Sequence, residues 1–451
     1  MSRVLVVAVA LAAATGPLVG AAGQEAPDAE PGRTVSYDEA LALFIQNSHE
    51  LKLADEDVRD ARRRVKTAGR QYHPRLKVQG TARGDLLQAD TWSADRNLGA
   101  GMVLDWSPYR NGELLRENMS AKVGLIIATL SRRQAAIDLE YDFRRLYYDI
   151  INQTDGVHLR KLQRDLEERR LAALEHDLEL GRANQSDVLK QKGTFFEADA
   201  AWRKSQQSLQ LKLIELEERM GRDEVAAAAD VDRTIEPAAD LDLDDCIAAA
   251  QGARISLLTS RQQVRLADLG VKYAALKRLP SVYFFTGSDY ALTQEVGPSD
   301  FELRAGVTVS YPIYGAGDTA AAIADAKAAA VRARIQDSKT RFNVEREIRE
   351  AYWAYVNTLA LLDSTRERER VFEDALKEAQ VMRERGAISD IDFAAAEISH
   401  EESRQRVRAL ELDALMTRAA LVKAVGVLSL DDIVRGQERA GSEPPAQKEA
   451  Q

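Results

Sequence analysis

Cysteine is almost missing from this chain: Cys246 stands alone among 451 residues. One thiol makes no internal disulfide, and no cysteine lies near the N-terminus to carry a lipid anchor, so a small buried hydrophobe is the expected role. The five histidines (His49, His73, His158, His176 and His400) are scattered without ligand spacing, so no metal site is expected. An excess of positive charge is missing too, and a net charge of -10 excludes a nucleic-acid partner, whose phosphates need a basic face. Aromatic residues are only 6% of the chain. After the N-terminus there is no apolar run of 18 or more residues, so no membrane-spanning helix is expected. A mature chain of this kind crosses a bilayer only as β-strands. The glycine-rich Gly315–Asp318 lacks the third glycine and the βαβ context of a dinucleotide loop, and reads as a bend between strand and helix. No nucleophile or cofactor motif stands out, so the chain is expected not to be an enzyme.

What is present is mostly Ala, Leu, Glu, Arg, Gln and Asp, with 30% charged residues, the profile of long solvated helices or coiled coil. Residues 1–23 differ. Arg3 gives a positive start, Val4 to Ala14 an apolar run, and Gly20 to Gly23 a small-residue cleavage site, the pattern of a secretory signal peptide. Residues 24–35 then read as a linker.

The chain repeats itself. At an offset of 206, Leu51 falls on Leu257, Val58 on Val264, Val65 on Val271 and Pro74 on Pro280; one residue is then dropped and the offset becomes 205. It then pairs Tyr109 with Tyr314, Gly112 with Gly317, Tyr147 with Tyr352, Gly181 with Gly386 and Gly221 with Gly426. Two structural repeats are expected, 36–221 and 241–426, joined by an Ala- and Asp-rich connector at 222–240. The tail 427–451, with Pro444-Pro445 and mixed charge, reads as disordered.

Within each repeat, helices come first. Tyr37, Phe44, Leu51, Val58 and Val65 recur every seventh residue beside Ala40, Asn47, Ala54, Ala61 and Ala68, a seam of large and small residues suited to close packing. Val407, Ala414 and Leu421 beside Leu410, Thr417 and Ala424 show the same habit. No proline interrupts 109–236 or 313–443. A helix of roughly 68 residues from Gly112 to Leu180 would be about 100 Å long, matched by an opening helix of about 37 residues stacked on one of about 34.

Two segments per repeat break the helical pattern. Phe301, Leu303, Ala305, Val307, Val309 and Tyr311 alternate strictly with Glu302, Arg304, Gly306, Thr308 and Ser310. That period of two fits the roughly 9 to 11 residues of a transmembrane strand, apolar side out. Ser281 to Tyr290 reads as its partner, giving strands at about 281–311. Leu98, Ala100, Met102, Leu104 and Trp106, with Leu76 and Val78 before them, give a looser pair at about 75–107. Trp106, Tyr109, Tyr311 and Tyr314 stand at strand ends, where a membrane-interface girdle would lie. Four strands cannot close a barrel and open edges do not persist in lipid, so several chains must share one. The expected fold is mainly α, with long antiparallel helical hairpins and four transmembrane β-strands per chain. Closure by three chains would give a 12-stranded barrel.

These features together resemble the TolC-like outer-membrane efflux proteins, from about 36 to 426. The likeness is strongest in "VTVSYPIYGAGDTAAAIADAKAAA", "LKRLPSVYFF", "LGRANQSDV" and "RGAISDIDF". The resemblance implies a homotrimer in the outer membrane of a Gram-negative bacterium with a long periplasmic α-helical tunnel. It implies a passive exit duct for efflux or type I secretion, working with a periplasmic adaptor (membrane fusion) protein and an inner-membrane pump, without cofactors. By the same resemblance, Gly181, Arg182, Ala183, Gly386, Ala387 and Ile388 are adaptor-docking tips. Asp187 and Asp392 fall on the family's acidic gate, with Arg383 as a candidate counter-charge. Aspartates that follow serine at a helix start are also ordinary N-terminal residues, and the two readings are compatible. A second acidic ring is replaced by Ala395, and usual gate partners by Arg383 and Ile388. The alternative is a periplasmic coiled-coil adaptor or scaffold, which would carry no membrane strands.

Overall fold

The computed structural model describes residues 33–85, 95–221, 225–233, 235, 242–292, 301–313 and 317–426. The signal peptide at 1–23, most of the linker and connector, the tail at 427–451 and Tyr314 lie outside the described residues.

The order is β1 (Arg33–Val35), α1 (Tyr37–Asn47), α2 (His49–Arg70), β2 (Arg75–Asp85), β3 (Asp95–Arg110), α3 (Glu113–Glu179) and α4 (Gln185–Met220). Then follow β4 (Val225–Ala228), α5 (Leu243–Ala253), α6 (Ile255–Leu276), β5 (Ser281–Leu292), β6 (Phe301–Ser310), α7 (Asp318–Glu384) and α8 (Asp390–Val425). The unit of two short helices, two strands, a long helix and a further helix occurs twice. Its backbone repeats as closely as its sequence does. Among the described residues, all six glycines with positive φ fall in pairs 205 residues apart: Gly112 with Gly317, Gly181 with Gly386, Gly221 with Gly426. Each pair ends or begins a helix in the left-handed region that side chains avoid.

The opening helical line is not continuous. Ser48, with ψ at 121°, ends α1 through its N–H to the Phe44 carbonyl (2.9 Å) and caps α2 by accepting from Leu51 N–H (3.2 Å). The heptad seam runs through this break, since the break changes backbone direction and not the spacing of buried positions. In the second repeat Arg254 holds the same place, bonding its N–H to the Ala250 carbonyl at 2.9 Å. Its buried guanidinium reaches both Glu347 oxygens (2.9 and 2.8 Å) and the Lys423 carbonyl, so it also closes the C-terminal end of α8.

α3 and α7, 67 residues each, are the spines. α2 and α4 pack along α3, α6 and α8 fill the space between α3 and α7, and the wall is one layer of helices. Its core thickens at mid-height. Tyr37, Phe44, Phe143 and Tyr147 interlock with ring centroids 4.9 to 5.8 Å apart, and Leu216 and Met220 of α4 complete the cluster. Here β1 and β4 form a small parallel pair beside α3 and α4. The Tyr147 hydroxyl lies 2.9 Å from the Val35 and Ala229 carbonyls beside that pair, and burial pushes it up to about 12. A second cluster around Ile348, Tyr355, Leu421 and Val425 takes in Cys246, which is fully buried and whose thiol is pushed by burial to about 11. It is inert packing.

At one end, β2, β3, β5 and β6 form an antiparallel sheet in the order β2-β3-β5-β6. β3 runs past the expected end at 107 to Arg110, because a register shift between Trp106 and Tyr109 absorbs Pro108, which has no N–H to give the ladder.

Candidate functional site

The sheet has two chemically distinct faces, and register alone sorts its residues between them. Directly paired residues share a face, so Leu76, Leu104, Thr286 and Ala305 form one row; Val78, Met102, Ser288 and Leu303 form the next. Trp106, Phe284 and Val307, then Tyr109, Val282 and Val309, continue that face, the bulge keeping both Trp106 and Tyr109 on it. It is largely apolar and has no cover within the chain: Val78 is 77% exposed and Leu303 68%. A patch of this size left bare marks contact with lipid or protein.

The opposite face carries Arg75, Lys77 and Gln79 against Asp105, Val103 and Gly101. Lys77 Nζ lies 3.2 Å from Asp105 Oδ2, and the Tyr283 hydroxyl donates to Asp105 Oδ1. Phe285 lies over Gly306, where an added Cβ would come within 2.6 Å of the ring. The edge strands β2 and β6 have no further partner among the described residues.

At the base of the apolar face gather three of the four aromatics expected at a membrane interface. Trp106 stacks on Phe284 at 5.2 Å and donates its Nε1–H to the Tyr72 carbonyl at 2.9 Å. Tyr109 pairs with Val282 and Tyr311 stands 61% exposed just past β6.

The other end of the wall is two tight helical turns. Gly181, at φ 69°, lets Arg182 N–H reach the Asp177 carbonyl (2.7 Å) while its own N–H reaches Leu178 (3.0 Å). Gly386, at φ 71°, repeats this with Ala387 to Met382 (2.8 Å) and its own N–H to Arg383 (2.9 Å). These paired bonds close the last carbonyls of α3 and α7. No side-chain or backbone atom lies within 4 Å of where a Cβ would stand on either glycine, so both turns are open to an approaching partner. Arg182 and Ala387 are exposed, Ala183 and Ile388 half-buried.

The acidic residues begin the returning helices. Asp392 closes a capping box with Ser389: Ser389 Oγ accepts from Asp392 N–H (3.1 Å) while the carboxylate takes the Ser389 N–H (3.3 Å) and hydroxyl (2.7 Å). Those donors, and Arg170 nearby on α3, hold its carboxyl below the ordinary 3.8. Asp187 has a looser setting, 3.5 Å from the Asn184 amide and 3.9 Å from Lys190 Nζ. Arg383 meets neither aspartate. Its Nε bonds Asp390 Oδ1 at 2.7 Å and its guanidinium lies over Phe393, 4.6 Å from the ring centre. Asp390 stands seven residues further along the chain, where the turn folds α8 back beside α7.

A second surface went unread in the sequence. α7 carries Ile335, Phe342, Trp353 and Val371 exposed on the outer edge of the row, and α4 carries Leu189, Phe196 and Leu211 exposed on the opposite edge. Large side chains on both edges of a single helical layer leave each edge fitted to another helix. Among the described residues no cluster of His, Cys, Asp and Glu fits a metal, and no helix is long and apolar enough to cross a membrane.

Residues 246–427 match the family model described as outer membrane efflux protein. No curated protein matches the chain in sequence. Among solved structures, CusC superposes at a TM-score of 0.70 and 16% identity, covering 86% of this chain and 92% of that one. The outer membrane protein VceC of Vibrio cholerae gives 0.66 and 17%, covering 86% and 96%. The CmeC outer membrane channel of Campylobacter jejuni gives 0.67 and 13%, covering 90% and 89%. The resemblance drawn from the sequence therefore holds over the second repeat by family match and over most of the chain by fold.

Proposed function

We propose that this chain, a TolC-like outer membrane efflux protein by its fold and by the match over 246–427, is one third of an exit duct in the outer membrane of a Gram-negative bacterium. The observation that carries the reading is the four-stranded sheet, bare and apolar on one face, polar on the other and open at both edges. In lipid such edges must be paired. Three chains would close twelve strands, apolar side to the bilayer, with the helical walls continuing them as a hollow cylinder. Exposed apolar residues on α7 then meet those on α4 of the next chain, a head-to-tail contact that closes as a ring.

Residues 1–23 supply the export signal, and the long helices extend into the periplasm. The duct performs no chemistry; an inner-membrane pump drives the cargo and a periplasmic adaptor joins the two at the open turns around Gly181 and Gly386. Three copies of Asp392, kept ionised by Ser389, ring the tip and favour cations there, with Asp187 beside them. Arg383 braces the turn through Asp390 and Phe393, a positioning role within its own chain.

Fractionation and conductance test this together. The reading expects the protein in the outer-membrane fraction, extracted only by detergent, and forming pores in a planar bilayer. Release into the periplasmic fraction without detergent would restore the alternative, a soluble coiled-coil adaptor or scaffold.

A further inference from the structure

A cavity of about 810 Å³ sits in the helical wall between mid-height and the tips. It is lined from α3, α4, α7 and α8 at once, although these helices stand in a row with α4 at one end and α7 at the other. Only the concave side of such a row brings its two ends to one cavity. The helical phase agrees. Tyr147 faces the strands β1 and β4, and Gly156 on the cavity wall, nine residues on, projects about 180° away at 100° per residue, so the cavity opens on the face of α3 away from those strands.

The lining is basic in an acidic protein. Arg160, Lys204, Arg368 and Arg406 face a single carboxylate, Glu402, and that one already accepts the Gln163 amide. Among the described residues none of the four cations has a carboxylate within 4.0 Å, unlike most arginines along these helices. Arg160 bonds only the Gln163 amide oxygen (3.2 Å), and Arg368 lies over the Phe372 ring (5.4 Å). A second, independent feature marks the same place. Ser403 backs the cavity, 6% exposed, and its hydroxyl has no hydrogen-bond partner. A buried hydroxyl left unpaired costs free energy unless something that enters the cavity satisfies it.

We propose that this cavity is a binding site for organic anions bearing carboxylate or phosphate groups, held by the four cations, with Ser403 donating and the Phe372 ring covering an apolar part. Its volume suits a ligand of small-molecule size. The proposal rests on the duct reading for one point, that the concave side is the lumen. There the site holds anions on the wall of the passage, one cavity per chain, apart from the acidic tip at Asp392.

Citrate is the probe, with the full chain in detergent and equilibrium dialysis as the readout. The native protein is expected to bind citrate in a salt-sensitive manner. The R368Q/R406Q variant should bind about tenfold more weakly, from two lost charge contacts. S403A should weaken binding roughly threefold without lowering the thermal midpoint of the ligand-free protein, because the hydroxyl it removes is buried and unpaired there. Equal binding by native and R368Q/R406Q protein would overturn the site, as would an equal loss on removing two cations elsewhere with R59Q/R63Q. Conductance on the same preparations separates the two readings. Pores without citrate binding would overturn the site and keep the duct; citrate binding without pores would keep the site and overturn the duct.

Discussion

Gly112 and Gly317 hold the same place in the two repeats, each opening a 67-residue helix with positive φ (74° and 89°). Their surroundings differ. A Cβ on Gly112 would stand 2.4 Å from Leu276 Cδ1 and 2.9 Å from Leu276 Cβ, whereas no atom lies within 4 Å of one on Gly317. Gly317→Ala should therefore cost only the left-handed penalty, about 1–2 kcal/mol. Gly112→Ala carries the same penalty plus an overlap that side-chain rotation cannot clear, since Leu276 Cβ is fixed to the backbone; overpacking adds about 1–3 kcal/mol. The assay is the denaturant midpoint of the helical circular dichroism signal, in detergent and at one protein concentration. Leu276→Gly, which removes Cβ as well as Cδ1, supplies the cycle: in that background Gly112→Ala should cost about as much as Gly317→Ala. Equal losses for the two glycines, or a gap that survives removal of Leu276, would refute the reasoning.

Other outcomes follow from the same geometry. Leu303→Arg puts a charge on the apolar sheet face and should cost about 2–4 kcal/mol near mid-membrane, abolishing outer-membrane assembly, while Thr308→Lys on the opposite face leaves assembly intact. Phe342→Glu, on the exposed edge of α7, should shift the assembled complex toward single chains by at least about tenfold in size-exclusion profiles. Ser389→Ala should destabilise α8 by about 1 kcal/mol at neutral pH. Because Ser389 depresses the Asp392 carboxyl, the share of that stability carried by the carboxylate is present above the unfolded value of 3.8 and is lost as pH falls through the lower folded value, while the Ser389 Oγ bond to Asp392 N–H remains. The native and Ser389→Ala midpoints should thus draw closer in acid without meeting.

Much of this was legible because it depends on periodic signals. The seventh-residue recurrence from Tyr37 to Val65, the strict alternation from Phe301 to Tyr311 and the 205-residue offset all survive in the fold as buried or half-buried positions, sheet faces and paired glycines. Features that depend on single contacts were not legible. The break at Ser48 contains neither glycine nor proline, and its counterpart Arg254 is held by partners 93 and 169 residues away. Residues 225–228, Val-Ala-Ala-Ala, have the composition of a helix yet pair with Arg33–Val35, because tertiary context outweighs so short a propensity. Arg383 was expected near the gate aspartates; which neighbour it meets was decided by the turn at Gly386, which carries Asp390 and Phe393 to it.

The central claim is that four strands per chain are a fragment of a barrel completed by other copies. Its most direct test is the native mass of the detergent-extracted complex. The account predicts a particle of three chains of 49.9 kDa less the removed signal segment, stable only with detergent. A monomer or dimer, soluble in buffer alone, would contradict it.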